Sequence, residues 1–240
     1  MTRKKISFTL KALIALLAIG AVIAACILAE RDGYSHWTKR LLYFTQMSNV
    51  WIGVTALLFV SFGIRESDTS AHITPKWLHT LRFVFTVSIT VTGIIYCGFL
   101  APFATEDYNP WTATGIITHV VVPALSVADF IIDESEISFK RKHAFLGVLP
   151  ILAYFVFASA LCAARVDFGR GDPYPYFFMN YYSPVGLFGV DMTASPYPEI
   201  GAFYWISVFL LLVLGLSFGF YKLHKRLTSG AGRKSTQAQI

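Results

Sequence analysis

One stretch of the chain, Tyr43-Phe44-Thr45-Gln46-Met47-Ser48-Asn49, puts two alcohols and two carboxamides at the head of an apolar run. On a helix Thr45 and Asn49 lie four apart and Ser48 three from Thr45, so the three share a face with Gln46 at its edge. A second polar patch, Thr118-His119 with Pro123 four residues on and Asp129 further along, interrupts another apolar run. A hydroxyl beside a neutral imidazole is the minimum for nucleophilic acyl transfer, in which the base takes the proton as oxygen attacks a carbonyl and returns it to the leaving group. Thr45 is the candidate nucleophile and His119 the candidate base. Gln46, Ser48 and Asn49 are the candidates for binding substrate or stabilising an oxyanion. No group that would orient the imidazole is evident. The same residue types also serve as hydrogen-bonding glue between membrane helices, and a lone histidine is often a packing residue. An interfacial charge accounts for Asp129 without any chemistry. Pro123 has no N–H, so the His119 carbonyl loses its helical partner and a kink is expected there.

The elements that carry these residues read as membrane spans. Hydrophobic residues make up 55% of the 240-residue chain and charged ones 14%, against about 25% charged in an ordinary globular protein. The apolar residues fall into blocks of about twenty, the length that crosses a ~30 Å hydrocarbon layer. Spans are expected at about 7–29, 40–63, 79–103, 112–132, 144–166 and 201–221, giving an all-α, polytopic bundle over residues 1–228 followed by a disordered basic tail over 229–240. Basic residues cluster at the N-terminus (Arg3, Lys4, Lys5, Lys11), around the second connection (Arg65, Lys76, Arg82), at Lys140-Arg141-Lys142 and in the tail; the alternate connections hold only Arg31, Lys39, Arg40, Arg165 and Arg170. This alternation predicts both ends inside, in the plasma (cytoplasmic) membrane. A nucleic-acid surface would not alternate from loop to loop, which excludes that partner class despite the net charge of +6. Under this topology spans 2 and 4 both descend from outside, with Thr45 roughly 7–8 Å deep and His119 roughly 10 Å deep. Alcohol and imidazole therefore share a layer.

Other features exclude simpler readings. Cys26, Cys97 and Cys162 fall in separate spans, so neither a disulfide framework nor a metal site is expected, and no cofactor. Ile23-Ala24-Ala25-Cys26 looks like the end of a lipoprotein signal, but the apolar stretch before it exceeds the usual ~7–15 residues, so a retained first span is expected. Gly215-Leu216-Ser217-Phe218-Gly219 matches the serine-hydrolase elbow in letters only. Inside an apolar span it reads instead as G-x-x-x-G, with Gly215 and Gly219 allowing close helix approach. Segment 167–200 carries five prolines among Tyr174, Tyr176, Phe177, Phe178, Tyr181 and Tyr182. It is either a cap over the outer mouth of the bundle or an aromatic-belt loop that anchors the protein.

The Tyr43–Asn49 run, the Thr118-His119-x-x-x-Pro123 pattern and the Asp172-Pro173-Tyr174-Pro175-Tyr176-Phe177 stretch, in that order within six spans, resemble the androgen-induced gene 1 and androgen-dependent TFPI-regulating protein family, in the style of its bacterial relatives. The resemblance covers nearly the whole chain. It implies a multipass threonine hydrolase that cleaves fatty acid esters of hydroxy fatty acids, taking a lipid substrate from the bilayer, with Thr45 as nucleophile and His119 as its partner. The outer Pro- and Tyr-rich loop departs from the animal enzymes and leaves the substrate open. Acyl transfer to a lipid alcohol, or a small-solute transporter or channel with a polar layer, are the alternatives.

Overall fold

The computed structural model describes residues 2–69, 72–102, 109–133, 139–194 and 199–237, with side chains through residue 229. Among the described residues six helices are long and apolar enough to cross a membrane: α1 Arg3–Ile27, α2 Phe44–Thr69, α3 Lys76–Leu100, α4 Ala113–Ile132, α5 Arg141–Ala163 and α6, whose apolar part is Ala202–Ser229. The chain is a multi-pass helical membrane protein. An isolated antiparallel pair, β1 Val190–Asp191 and β2 Glu199–Ile200, lies in the α5–α6 connection. The start of α1 and the far end of α6 fall at one end of the bundle, the basal end; the long connections lie at the other, the apical end. The helix of α6 continues to Gln237; the side chains of 230–240 lie outside the described residues, as do 104–108 of the third connection and Glu134 and Glu136 of the fourth.

α3 is the central helix, with 61% of its most apolar window buried against 22% for α6. It packs on α2, α4, α5 and α6, while α1 packs on α2 and α4. Lipid tails are as apolar as leucine, so close backbone approach rather than water exclusion holds such helices together. Small residues make that approach possible. Ala18 of α1 is fully buried, and a Cβ at Gly53 of α2 would lie 2.9 Å from Ile19 and 3.2 Å from Ala18. A Cβ at Gly93 of α3 would lie 2.9 Å from the His119 carbonyl oxygen and 3.2 Å from Pro123. On the other side Phe83, Val87, Val91 and Phe209 build an apolar core among α3, α5 and α6.

Two expectations are corrected. A Cβ at Gly215 or Gly219 would meet nothing within 4 Å among the described residues; the close approach is made by Gly147 of α5, where a Cβ would lie 3.0 Å from the Ser217 Cβ, and Ser217 donates to the Ala144 carbonyl at 2.6 Å. Asp129 is a buried partner in an ion-pair cluster rather than an exposed charge. It is buried with Lys11 and Arg82, with Lys11 Nζ at 2.9 Å and Arg82 Nη1 at 3.5 Å from its carboxylate. Asp133 closes the square by pairing with Arg82 and, at 3.6 Å, with Lys11. Ser7 donates to Asp129 at 2.6 Å. Unpaired charge in hydrocarbon is costly, and the two acids answer the two bases.

Candidate active site

α2 begins later than expected. A 3₁₀ turn, Trp37–Leu42, precedes it, and the first amides bonded to carbonyls are those of Gln46 and Met47, both to Tyr43 O at 3.1 and 3.2 Å. Thr45 is therefore in the opening turn, on the apical side of the bundle. α4 supplies its partner through a distortion. Where a kink was expected at Pro123, the residues before it, Ile117–Val121, form a π turn with His119 at its centre. Single π turns are frequent at functional sites, and here the proline's missing N–H gives the local cause. Gly93 lets α3 pass against the widened backbone.

The two sequence-predicted residues meet. Thr45 Oγ1 lies 3.1 Å from His119 Nε2. Nδ1 is 2.8 Å from the Gly115 carbonyl oxygen, which can only accept. The proton therefore resides on Nδ1, and Nε2 presents a lone pair to the Thr45 hydroxyl. Gly115 O is the orienting group. It is a main-chain atom four residues before the histidine, so no side-chain pattern reveals it. Tyr96 stacks on the imidazole, centroids 3.5 Å apart and planes 13° apart, and its hydroxyl donates to the Pro110 carbonyl. A side chain at Gly115 would collide with Pro110 O at 2.7 Å and crowd the Tyr96 hydroxyl at 3.4 Å. The imidazole is held by its bond, its stacking and its backbone together.

The other candidates divide. Asn49 Nδ2 donates to Thr45 O at 2.8 Å and to Thr118 O at 3.2 Å, so its amide hydrogens are committed to tying α2 to α4. Ser48 donates to Thr45 O at 3.1 Å and meets Thr92 Oγ1 at 2.8 Å. Both are buried supports under Thr45. Gln46 is buried, its Oε1 without a hydrogen-bond partner among the described residues, and lines a polar vestibule of about 280 Å³ together with His119, Thr118, Arg31, Arg40 and Arg170. Thr45 instead lines an apolar slot of about 30 Å³ with Phe44, Thr92, Tyr154, Tyr176 and Phe178. The Thr45–His119 contact forms the partition between a polar side rich in guanidinium and an apolar aromatic side.

The segment after α5 roofs the slot. Phe168 and Met179 are fully buried and Phe178 nearly so, which favours the cap over a purely anchoring loop, although Phe177 and Phe188 remain exposed. Asp167 ties the cap down: its carboxylate accepts the amides of Gly169 and Gly171 at 2.7 and 2.8 Å. Both glycines have positive φ, +114° and +88°, which is what lets the turn curl around one carboxylate. Burial alone would raise the Asp167 carboxyl, but these amides and Ser35 hold it below the usual range. Lys39 Nζ donates to Asp167 O at 2.7 Å and the Ser35 amide to Gly169 O at 2.7 Å, fastening the cap to the approach to α2.

No group of three His, Cys, Asp or Glu that could hold a metal occurs among the described residues. No family model matches the chain, and no curated protein or solved structure matches it either.

Proposed function

We propose that the chain is a membrane-embedded lipid ester hydrolase, oriented with both ends in the cytoplasm, that cleaves fatty acid esters of hydroxy fatty acids through Thr45 and His119. The observation that carries this reading is the 3.1 Å contact between Thr45 Oγ1 and a His119 Nε2 left unprotonated by the Gly115 carbonyl. The resemblance of the Tyr43–Asn49 and Thr118–Pro123 patterns to the androgen-induced gene 1 family supports the same two roles.

In the first half-reaction the Thr45 oxygen bonds to the ester carbonyl carbon and its proton moves to Nε2. The carbonyl π pair moves onto oxygen. When the intermediate collapses, the bond to the alcohol oxygen breaks and His119 returns the proton to it, leaving an acyl-threonine and a free alcohol. Water from the vestibule then repeats the cycle, releasing the acid and restoring Thr45. A slot of about 30 Å³ suits a carbonyl group rather than an acyl chain, so the chains lie along the lipid-facing surface.

Purified protein in nanodiscs is expected to hydrolyse a fatty acid ester of a hydroxy fatty acid and to label with a fluorophosphonate probe. Thr45→Ala should lose both, the rate by on the order of 10⁴-fold or more. Undiminished turnover in Thr45→Ala removes the proposed nucleophile. Liquid chromatography of products with and without an added lipid alcohol distinguishes hydrolysis from acyl transfer.

A further inference from the structure

The ester-hydrolase reading leaves one requirement unmet, a donor for the oxyanion. We infer that Tyr176, carried by the cap between α5 and α6, is a third catalytic residue whose phenol O–H stabilises the oxyanion formed on attack by Thr45. The inference rests on the ester-hydrolase reading above and names the group that reading lacks.

Direction and elimination single it out. The Thr45 hydroxyl aims its hydrogen at His119, so its free lone pair faces the other way, into the slot, and an ester carbonyl must approach from there. The polar side chains of the slot wall are Thr45, Thr92, Tyr154 and Tyr176. Thr92 donates to Ser88 O at 3.2 Å and meets Ser48 at 2.8 Å. Tyr154 donates to Leu42 O at 3.2 Å. Asn49 is committed below, and Gln46 lines the vestibule on the far side of the partition. The Tyr176 phenol shares the slot wall with Thr45, whose hydroxyl and main-chain amide are among its polar neighbours. That amide lies in the opening turn of α2, where N–H groups lack helical acceptors and the helix dipole favours negative charge. A carbonyl oxygen taken between phenol and amide meets two donors at once.

The phenol is also preorganised. Its ring is stacked on Phe178 at 5.0 Å and edge-on to Tyr43 at 5.7 Å, with Tyr154 at 6.4 Å. Tyr43 donates to Phe168 O at 3.3 Å, so the residue before α2 and the cap hold the ring from both sides. Burial, outweighing its neighbours at Thr45 and Tyr154, pushes the phenol up to about 12, which keeps it a donor and unsuits it as a base. It gives no proton away: the proton lost by Thr45 goes to His119 and then to the leaving alcohol, while Tyr176 lends and keeps its own.

The test is steady-state hydrolysis of a fatty acid ester of a hydroxy fatty acid by the full-length protein in nanodiscs. Tyr176→Phe is expected to lower kcat by about 10²–10³-fold with KM within about threefold and an unchanged thermal midpoint. Tyr176→3,5-difluorotyrosine, whose phenol ionises at lower pH, should keep the fold and shift the alkaline limb of kcat downward. A kcat in Tyr176→Phe within about threefold of wild type, or an alkaline limb unmoved by fluorination, overturns the assignment while a Thr45→Ala loss leaves the hydrolase reading standing. Turnover that survives Thr45→Ala overturns both.

Discussion

A threonine hydroxyl attacks a carbonyl only if its proton has somewhere to go, and Gly115 decides where. With Nδ1 tied to its carbonyl at 2.8 Å, the imidazole has one free acceptor, and Thr45 occupies it. His119→Gln keeps a side chain of similar reach but supplies no base; hydrolysis should fall by about 10²–10⁴-fold while circular dichroism and the thermal midpoint stay near wild type. Asn49→Ala should do the opposite. It removes the tie between Thr45 O and Thr118 O, each hydrogen bond worth about 0.6 kcal/mol on average in a membrane bundle. The expected result is a stability loss of about 1–2 kcal/mol in a reversible unfolding assay, with residual activity tracking the folded fraction. A collapse of kcat in folded Asn49→Ala would return it to the chemistry. Thr45 and His119 were legible in the sequence because polar side chains are conspicuous in apolar runs. Tyr96, Gly115 and Tyr176 were not: an aromatic in a span or belt, a glycine and a loop tyrosine are each ordinary, and what sets them apart is a contact.

Among elements, the helices were readable by length and composition, and their observed bounds fall within about four residues of those expected, except that α2 runs on to Thr69 and the last helix to Gln237. Their joints were not. Pro123 signals a disturbed turn but not that it becomes a π turn, and G-x-x-x-G marks Gly215 and Gly219 where the tight packing belongs to Gly147. The motif records small residues, whereas packing depends on which face meets a neighbour. Two glycine variants separate site geometry from general stability. In Gly93→Ala the new Cβ meets main chain, the His119 carbonyl oxygen at 2.9 Å, so α4 must shift and carry the imidazole away from Thr45. A misplacement of about 1 Å can cost about 10²-fold in rate, and kcat should fall at least tenfold in folded protein. Gly147→Ala also meets a tight neighbour, the Ser217 Cβ at 3.0 Å, but between α5 and α6. It should cost stability with kcat per folded molecule unchanged. Equal effects on kcat would mean that α3 does not set the dyad.

For the whole molecule, the basal charges balance the apical site. Lys11, Arg82, Asp129 and Asp133 join α1, α3 and α4 at the end of the bundle remote from Thr45, and α4 also carries His119. The sequence held a usable signal, opposite charges near the same end of separate spans, but loop-by-loop counting assigned Lys11 and Arg82 to orientation alone. Asp129→Asn leaves two cations facing one acid and should destabilise by about 3–5 kcal/mol, whereas the paired replacement Lys11→Met with Asp129→Leu should cost much less. Asp133, just beyond α4, adds a pH dependence. Burial would raise its carboxyl, but Arg82 and Lys11 outweigh burial and hold it below the usual range. A depressed folded value means that its stabilisation is complete above the unfolded carboxylate value, near pH 4, and drains away as pH falls through the folded one. Thermal unfolding in detergent should therefore fall as pH drops below about 4. Asp133→Asn should begin lower at neutral pH and lose less on acidification, with the dyad's rate at neutral pH preserved in the folded fraction. A variant that matches wild type at neutral pH and falls as steeply in acid would show that the basal square does not hold α4 in place.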